Sequence, residues 1–441
     1  MSLHFGHRPD RTNQGRAVAS APVLLLPVMV VFATIMAAGP ALARSDTPLT
    51  LAEAEDLALQ AEPGQQALAA RAAALDERAV AASELPDPML RVGLNNFPIE
   101  SGGFSTEGMT QATIGLRQTF PGGDTLALSS EKFGHLAQGM SASANARGRD
   151  VRTSTRQAWL ELYFLDRADE LISESRPLFA DLAEITLSLY SVGRRQQHEV
   201  LRAELELSRL DDRLIENERR RGRARSALAE WIGEDAGRPI ARKFPQWDAL
   251  PPLTDLQNRL ATHPALVAAS AEVEATAANV KIAGERGKPD WALDVSYGYR
   301  EGFLPNGEPR SDMITVGVTV GLPFFSSTSI DSTVSAALQE QSAARSSRLR
   351  LERELFSRLE AEYATWQELT RRLDLYETRI LTQAEAQAEA SLLAYQSDAG
   401  DFADVMRAYI GYLNTRIEYL RLSVERAQSY AVLANFGGLT S

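Results

Sequence analysis

No cysteine occurs among the 441 residues. That excludes disulfides, thiolate chemistry and cysteine-based metal sites, and also a lipid anchor on an N-terminal cysteine. Histidine is scarce: only His4, His7, His135, His198 and His263. "HEVLR", from His198, opens like a zinc-protease helix, but Arg202 stands where the second histidine must be. No glycine-rich phosphate loop, nucleophile elbow or Ser/His/Asp grouping is present, so neither an enzyme nor a cofactor or metal site is expected. Positive charge is in deficit too. A net charge of −12 argues against a nucleic-acid partner. Beyond Arg44 no apolar run approaches the ~20 residues that a membrane helix needs.

What is present begins with an export signal over residues 1–43. A basic lead (Arg8, Arg11, Arg16) precedes the apolar run "APVLLLPVMVVFATIMAAGP" and the small-x-small site Ala41–Ala43. The alternative is an uncleaved anchor, since the run is long for a signal. Removing the signal leaves the mature chain at −14.

The rest reads as a tandem duplication. "LYSVGRRQQHEVLRAE" (Leu189–Glu204) aligns without gaps on "AYQSDAGDFADVMRAY" (Ala394–Tyr409), with Tyr190 on Tyr395, Val200 on Val405 and Arg202 on Arg407. "LPDPMLRVGL" pairs with "RGKPDWALDV", and "IGLRQTFP" with "VGVTVGLP". The first repeat spans 44–233 and the second 253–441, with a proline-rich linker over 234–252. Each repeat is expected to run helix, strand, loop, strand, long helix, turn, helix.

Four segments alternate with a period of two: from Leu90, from Ala112, from Trp291 and from Ile314. Each is read as about ten residues, the length of a tilted membrane strand. Aromatics near their ends (Phe97, Phe120, Trp291, Phe303, Phe324, Phe325) resemble an interfacial girdle. A half-buried soluble sheet would alternate in the same way. The helices argue against it: the pattern from Asp124 to Tyr190 implies roughly 100 Å of helix, too long to pack onto four strands. Ala158, Leu162, Leu165, Ile172, Phe179, Leu182 and Leu189 form a coiled-coil seam, repeated by Leu359, Tyr363, Trp366, Leu369, Leu373, Tyr376 and Ile380. Pro177 predicts a local kink in the first copy alone. In lipid, four strands leave two unpaired edges, so the barrel must be shared between chains. Leu293 and Val318 should face lipid, and Asp294 and Thr319 the pore.

Signal, duplication, strand pairs and coiled-coil hairpins together resemble the TolC-type outer-membrane efflux channels, over essentially the whole mature chain. "YSVGRRQQHEVLRAELEL" is similar to that family's helix–turn–helix tip. "LPDPMLRVGLNNFPI" with "IGLRQTFPGG" is similar to the branch that accompanies heavy-metal pumps of the resistance–nodulation–division class. The resemblance implies a mainly helical protein with a membrane β-barrel: a homotrimer sharing twelve strands in the cell outer membrane above a long periplasmic helical barrel. It further implies a passive conduit that docks onto a periplasmic adaptor (a membrane fusion protein) and an inner-membrane pump. A type I secretion conduit and a periplasmic coiled-coil scaffold are the alternatives. Asp404 falls at the family's gate-aspartate position, with Asp398 and Asp401 beside it. They form either a carboxylate ring at the mouth, or a helix cap at Asp401 with solvated neighbours. Asp398 replaces the expected turn glycine. Arg407 stands where some members carry a second gate aspartate, so it either neutralises the ring or pairs with an acid on a neighbouring helix. Gly193, Arg194, Arg195, Glu199 and Gly400 mark the two tips as adaptor-docking candidates; the arginines are also candidates for locking the mouth.

Overall fold

The computed structural model describes residues 47–247 and 249–439. The export signal and its cleavage site lie outside the described residues. Helices α1 (Leu51–Ala61) and α2 (Pro63–Ser83) lead into strands β1 (Met89–Asn95) and β2 (Gln111–Phe120), the long helix α3 (Thr125–Ser191) and its return α4 (Gln197–Ile232). The order then repeats: α5 (Leu253–Leu260), α6 (Pro264–Glu285), β3 (Trp291–Tyr299), β4 (Met313–Val320), α7 (Ser327–Leu375), α8 (Leu381–Gln396) and α9 (Phe402–Gly437). Helix starts follow their local chemistry. Thr50 caps α1, accepting from the Glu53 amide at 3.2 Å. Pro63 and Pro264 occupy first helical positions, where a missing N–H costs nothing. No helix among the described residues is long and apolar enough to cross a membrane.

The strands form one antiparallel sheet in the order β1-β2-β3-β4. β1 and β4 are shorter than the ten residues expected, at seven and eight. Both are edges with a single partner. β1 is bounded by Pro88, which cannot donate to a ladder, and by Asn96, whose φ of 51° turns the chain away. The register sorts side chains by character. Leu90–Leu116–Val295–Val316 and Val92–Ile114–Tyr297–Ile314 run across one face. That face is exposed: Val92 is 76% and Ile314 75% accessible. The Phe120 and Trp291 rings stack at 4.1 Å at its helix-proximal end, while Tyr297 and Tyr299 stand at the other. The opposite face carries Arg91, Thr113, Arg117, Asp294, Ser296, Thr315 and Thr319.

α3 has 67 residues, about 100 Å at 1.5 Å each. It continues through Pro177 rather than ending there. The second copy, expected to be regular, carries a five-residue π-helical segment, Tyr376–Ile380, between α7 and α8. It lies at the height of Pro177, where 327–396 accommodates three more residues than α3. The seam is largely as expected. Leu162, Leu165, Ile172, Phe179 and Leu182 are buried in the first copy, as are Leu359, Leu369 and Leu373 in the second.

The proline-rich connection is no free tether. Leu49 forms a parallel bridge with Ile240, and both join a core with Trp159, Leu160, Leu162 and Leu228. Trp159 Nε1 donates to the Leu49 carbonyl at 3.1 Å. The Arg238 guanidinium, buried in this connection, donates to the Glu53 carboxylate at 2.8 and 3.1 Å and to the Thr47 carbonyl at 3.0 Å.

His263 ties the second half together. Its Nδ1 accepts from the Ala265 amide at 3.3 Å, capping α6, and its Nε2 donates to Asn435 Oδ1 at 3.2 Å. Burial pushes its pKa below the ordinary value; Arg149 adds to this, while the Asn435 bond and Asp150 oppose it. Arg358 and Glu362 line the same pocket from α7. The cap needs a lone pair on Nδ1, so the neutral ring is the folded form. A depressed histidine pKa means that the unfolded chain binds the proton first. Stability is therefore full above about pH 6.5 and is lost as pH falls below it. The melting temperature should fall between pH 7 and pH 5, and His263→Asn, which retains a capping side chain, should flatten that slope. An equal slope in the variant would remove His263 as its source.

Candidate functional site

The two hairpin turns are built alike from the backbone up. At the end of α3, the Gly193 amide donates to the Tyr190 carbonyl and the Arg194 amide to that of Leu189, both at 2.9 Å. At the end of α8, the Asp398 amide donates to Tyr395 at 3.1 Å and the Ala399 amide to Ala394 at 2.9 Å. This is the same pair of helix-ending bonds, 205 residues apart. It requires a left-handed residue, which is Gly193 at φ 72° in one turn and Asp398 at φ 59° in the other. Gly400 has a different cause: a Cβ there would come within 3.1 Å of the Ala394 backbone.

Below the turns, Phe179 and Leu182 of α3, Ala203 of α4, Tyr395 of α8 and Phe402, Val405 and Met406 of α9 share one buried core. Charge is arranged on it. Arg195 lies over the Tyr395 ring at 4.5 Å and reaches Asp398 at 3.0 Å, with Glu199 at 4.0 Å. One guanidinium thus bridges the first turn to the second. Higher up, Arg213 meets Asn414 at 3.0 Å, Arg416 meets Glu174 at 3.3 Å and Arg421 meets Glu161 at 2.7 Å. These contacts fasten α9 to the α3–α4 hairpin.

The remaining candidates separate by environment. Asp401 caps α9, accepting from the Ala403 amide at 3.1 Å. Asp404 and Arg407 are exposed on one face of α9 and pair with each other. Within this chain Arg407 takes the first of its two expected roles, pairing with the acid three residues before it. Gly193 and Arg194 are exposed at the first turn, and Glu199 is half-buried. Sequence reasoning missed Tyr395 as the platform for Arg195; its signal was the tyrosine repeated at positions 190 and 395. On the polar face of the sheet, Asp294 gathers Arg91 at 3.3 Å, Arg117 at 4.0 Å and the Thr319 hydroxyl at 3.2 Å. Among the described residues no group of three or more His, Cys, Asp or Glu side chains could hold a metal.

A four-stranded sheet with one exposed apolar face, joined to helical hairpins whose longer arm α3 runs about 100 Å, has counterparts among solved structures. VceC from Vibrio cholerae superposes with a TM-score of 0.72 at 18% identity, over 88% of this chain and 96% of that one. CusC gives 0.74 at 15%, over 88% and 92%, and the CmeC outer membrane channel of Campylobacter jejuni gives 0.73 at 15%, over 88% and 85%. At such identities the likeness establishes the fold. A comparison with curated proteins finds no match. The family model of the outer membrane efflux proteins matches residues 256–438. Over that stretch the chain is similar to the outer membrane efflux proteins. The match runs from within α5 to the end of α9, so it includes the α8–α9 turn with Asp398, Asp401 and Asp404 and strands β3 and β4 of the sheet. In this efflux family the proteins are transport conduits rather than enzymes.

Proposed function

We propose that the protein is the outer-membrane channel of a tripartite efflux system, assembled as a homotrimer around a shared twelve-stranded barrel. The exposed apolar face of the sheet carries this reading. A soluble sheet would bury Val92, Ile314, Val316 and Val318, whereas a lipid-facing sheet presents them. β1 and β4 each have an unpaired edge, and in lipid every unpaired backbone group costs several kcal/mol. Pairing β4 of one copy with β1 of the next removes both edges. The two hairpin tips would then meet a periplasmic adaptor (a membrane fusion protein), which joins an inner-membrane pump of the resistance–nodulation–division class. The adaptor contacts would fall on Gly193, Arg194, Arg195, Glu199 and Gly400. The pump selects the cargo; a heavy-metal cation is the cargo suggested by the strand motifs alone. The duplicated boundaries 44–233 and 253–441 would be the two halves of each staves-and-strands unit.

Within this reading the tips are the gate. Arg195, held between Tyr395 and Asp398, locks the two hairpins of one chain. Asp404 lies at the mouth, and Arg407 neutralises it. Asp404→Asn should free a guanidinium and move the permeability of channels in planar bilayers towards anions at low salt, where screening is weakest. Arg407→Ala should move it towards cations, and Arg195→Ala should raise the open fraction without moving selectivity. Unchanged reversal potentials in both α9 variants would leave Asp404 and Arg407 as a solvated surface pair, worth only about 0.3–0.5 kcal/mol to the helix.

A further inference from the structure

We infer that the barrel lumen carries a net-positive belt, made by Arg91 and Arg117 around Asp294, which favours anionic solutes bearing carboxylate, phosphate or sulfonate groups. The inference rests on the channel reading above and adds a selectivity site to it; a belt of this sign disfavours a free metal cation as the cargo. Within the strand spans, Arg91, Arg117 and Asp294 are the charged side chains of the polar face. Asp290, one residue before β3, lies over Gly321 at the helix-proximal end of this face, and Arg300 follows β3 at the other end; between them, two cations meet one anion in each chain.

The geometry leaves cationic donors available. Arg117 stands directly across from Asp294, and Arg91 reaches the same Oδ1 from the next strand. The other carboxylate oxygen is occupied by the Thr319 hydroxyl at 3.2 Å. Asp294 is thus the hub that draws two like charges together. The Arg91 side chain is 57% exposed, against 22% for Arg117 and 27% for Asp294. A guanidinium offers five N–H donors in a planar fork, so Arg91 keeps donors free for a passing oxyanion. The backbone leaves it room, because the residue opposite Arg91 on β2 is Gly115. Around a threefold barrel the excess recurs in every chain. Charge in a low-dielectric wall acts on an ion in the lumen more strongly than the same charge in bulk water. At the far end Asp404 is balanced by Arg407.

The test is the chloride-to-potassium permeability ratio of the full chain in planar bilayers, read from reversal potentials across a salt gradient near 0.01 M, where the Debye length is about 30 Å. The double variant Arg91→Gln with Arg117→Gln should lower the ratio about threefold or more. Asp294→Asn leaves both guanidiniums unbalanced and should raise it. Opposite shifts support the belt. No shift in the double variant, or shifts of the same sign in both, overturns it. Conduction itself reports that each variant has folded and inserted. A wild-type protein that passes no ions overturns the channel reading and this inference with it. A conducting protein whose ratio ignores the arginines overturns this inference alone.

Discussion

Val318→Arg is expected to abolish trimer assembly in the membrane, while Thr319→Arg leaves it intact. The two positions are adjacent on β4, each opposite a residue of β3. Their faces differ. Val318 pairs with Leu293 on the exposed apolar face, and Thr319 pairs with Ala292 on the face that holds Asp294. An arginine on a lipid face near mid-bilayer costs roughly 2–4 kcal/mol, and a trimer incurs that in every chain. On the polar face the new guanidinium meets Asp294 and water. It adds positive charge and should change conductance rather than stability. Folded trimer, measured as the heat-modifiable band of membrane extracts, should be lost only for Val318→Arg. Equal loss from both would show that the sheet does not separate lipid from water.

Phe402→Ala is expected to loosen the second tip by about 3–5 kcal/mol, the usual cost of emptying a buried phenylalanine site. Phe402 is fully buried and opens α9. Its ring stands 5.6 Å from that of Tyr395, the residue on which Arg195 rests. The cavity therefore lies directly beneath the inter-hairpin bridge. Asp401→Ala, one residue earlier, removes only a cap and should cost about 1 kcal/mol. Hydrogen exchange across residues 397–410 can rank the two. Faster exchange in Asp401→Ala than in Phe402→Ala would show that the cap, and not the packing beneath it, holds the tip closed.

The architecture was legible because its signals are long. A period of two sets the strand faces, and spacings of three and four over tens of residues set the seams. The duplication supplied each reading twice. Asp401 as a cap could also be read, because capping depends on local sequence. Contacts that depend on register between distant segments could not be read. Arg91, Arg117 and Asp294 each appeared on a polar alternation, but their meeting depends on which residues the ladders bring opposite each other. The Arg195 bridge depends on two turns 205 residues apart ending side by side. For Arg407 the sequence left two partners open, the Asp404 carboxylate and an acid on a neighbouring helix, and within this chain it pairs with Asp404. The connection over 234–252 looked like a tether by composition; Leu49, Ile240 and Arg238 make it part of the core.

The two irregularities in the long helices have a mechanical consequence. A continuous α-helix resists bending because every turn is clamped by bonds four residues apart. Proline removes such a bond, and a π segment replaces the pattern with a wider turn. One lies at Pro177 and the other at Tyr376–Ile380, on helices that begin at matching positions of the two halves and end at matching turns. Each hairpin thus pairs one helix whose hydrogen-bond ladder is interrupted with a return helix, α4 or α9, whose ladder is unbroken. Like a rod scored on one side, such a pair is softer in bending towards one face than towards the other, and the score lies nearer the tips than the sheet.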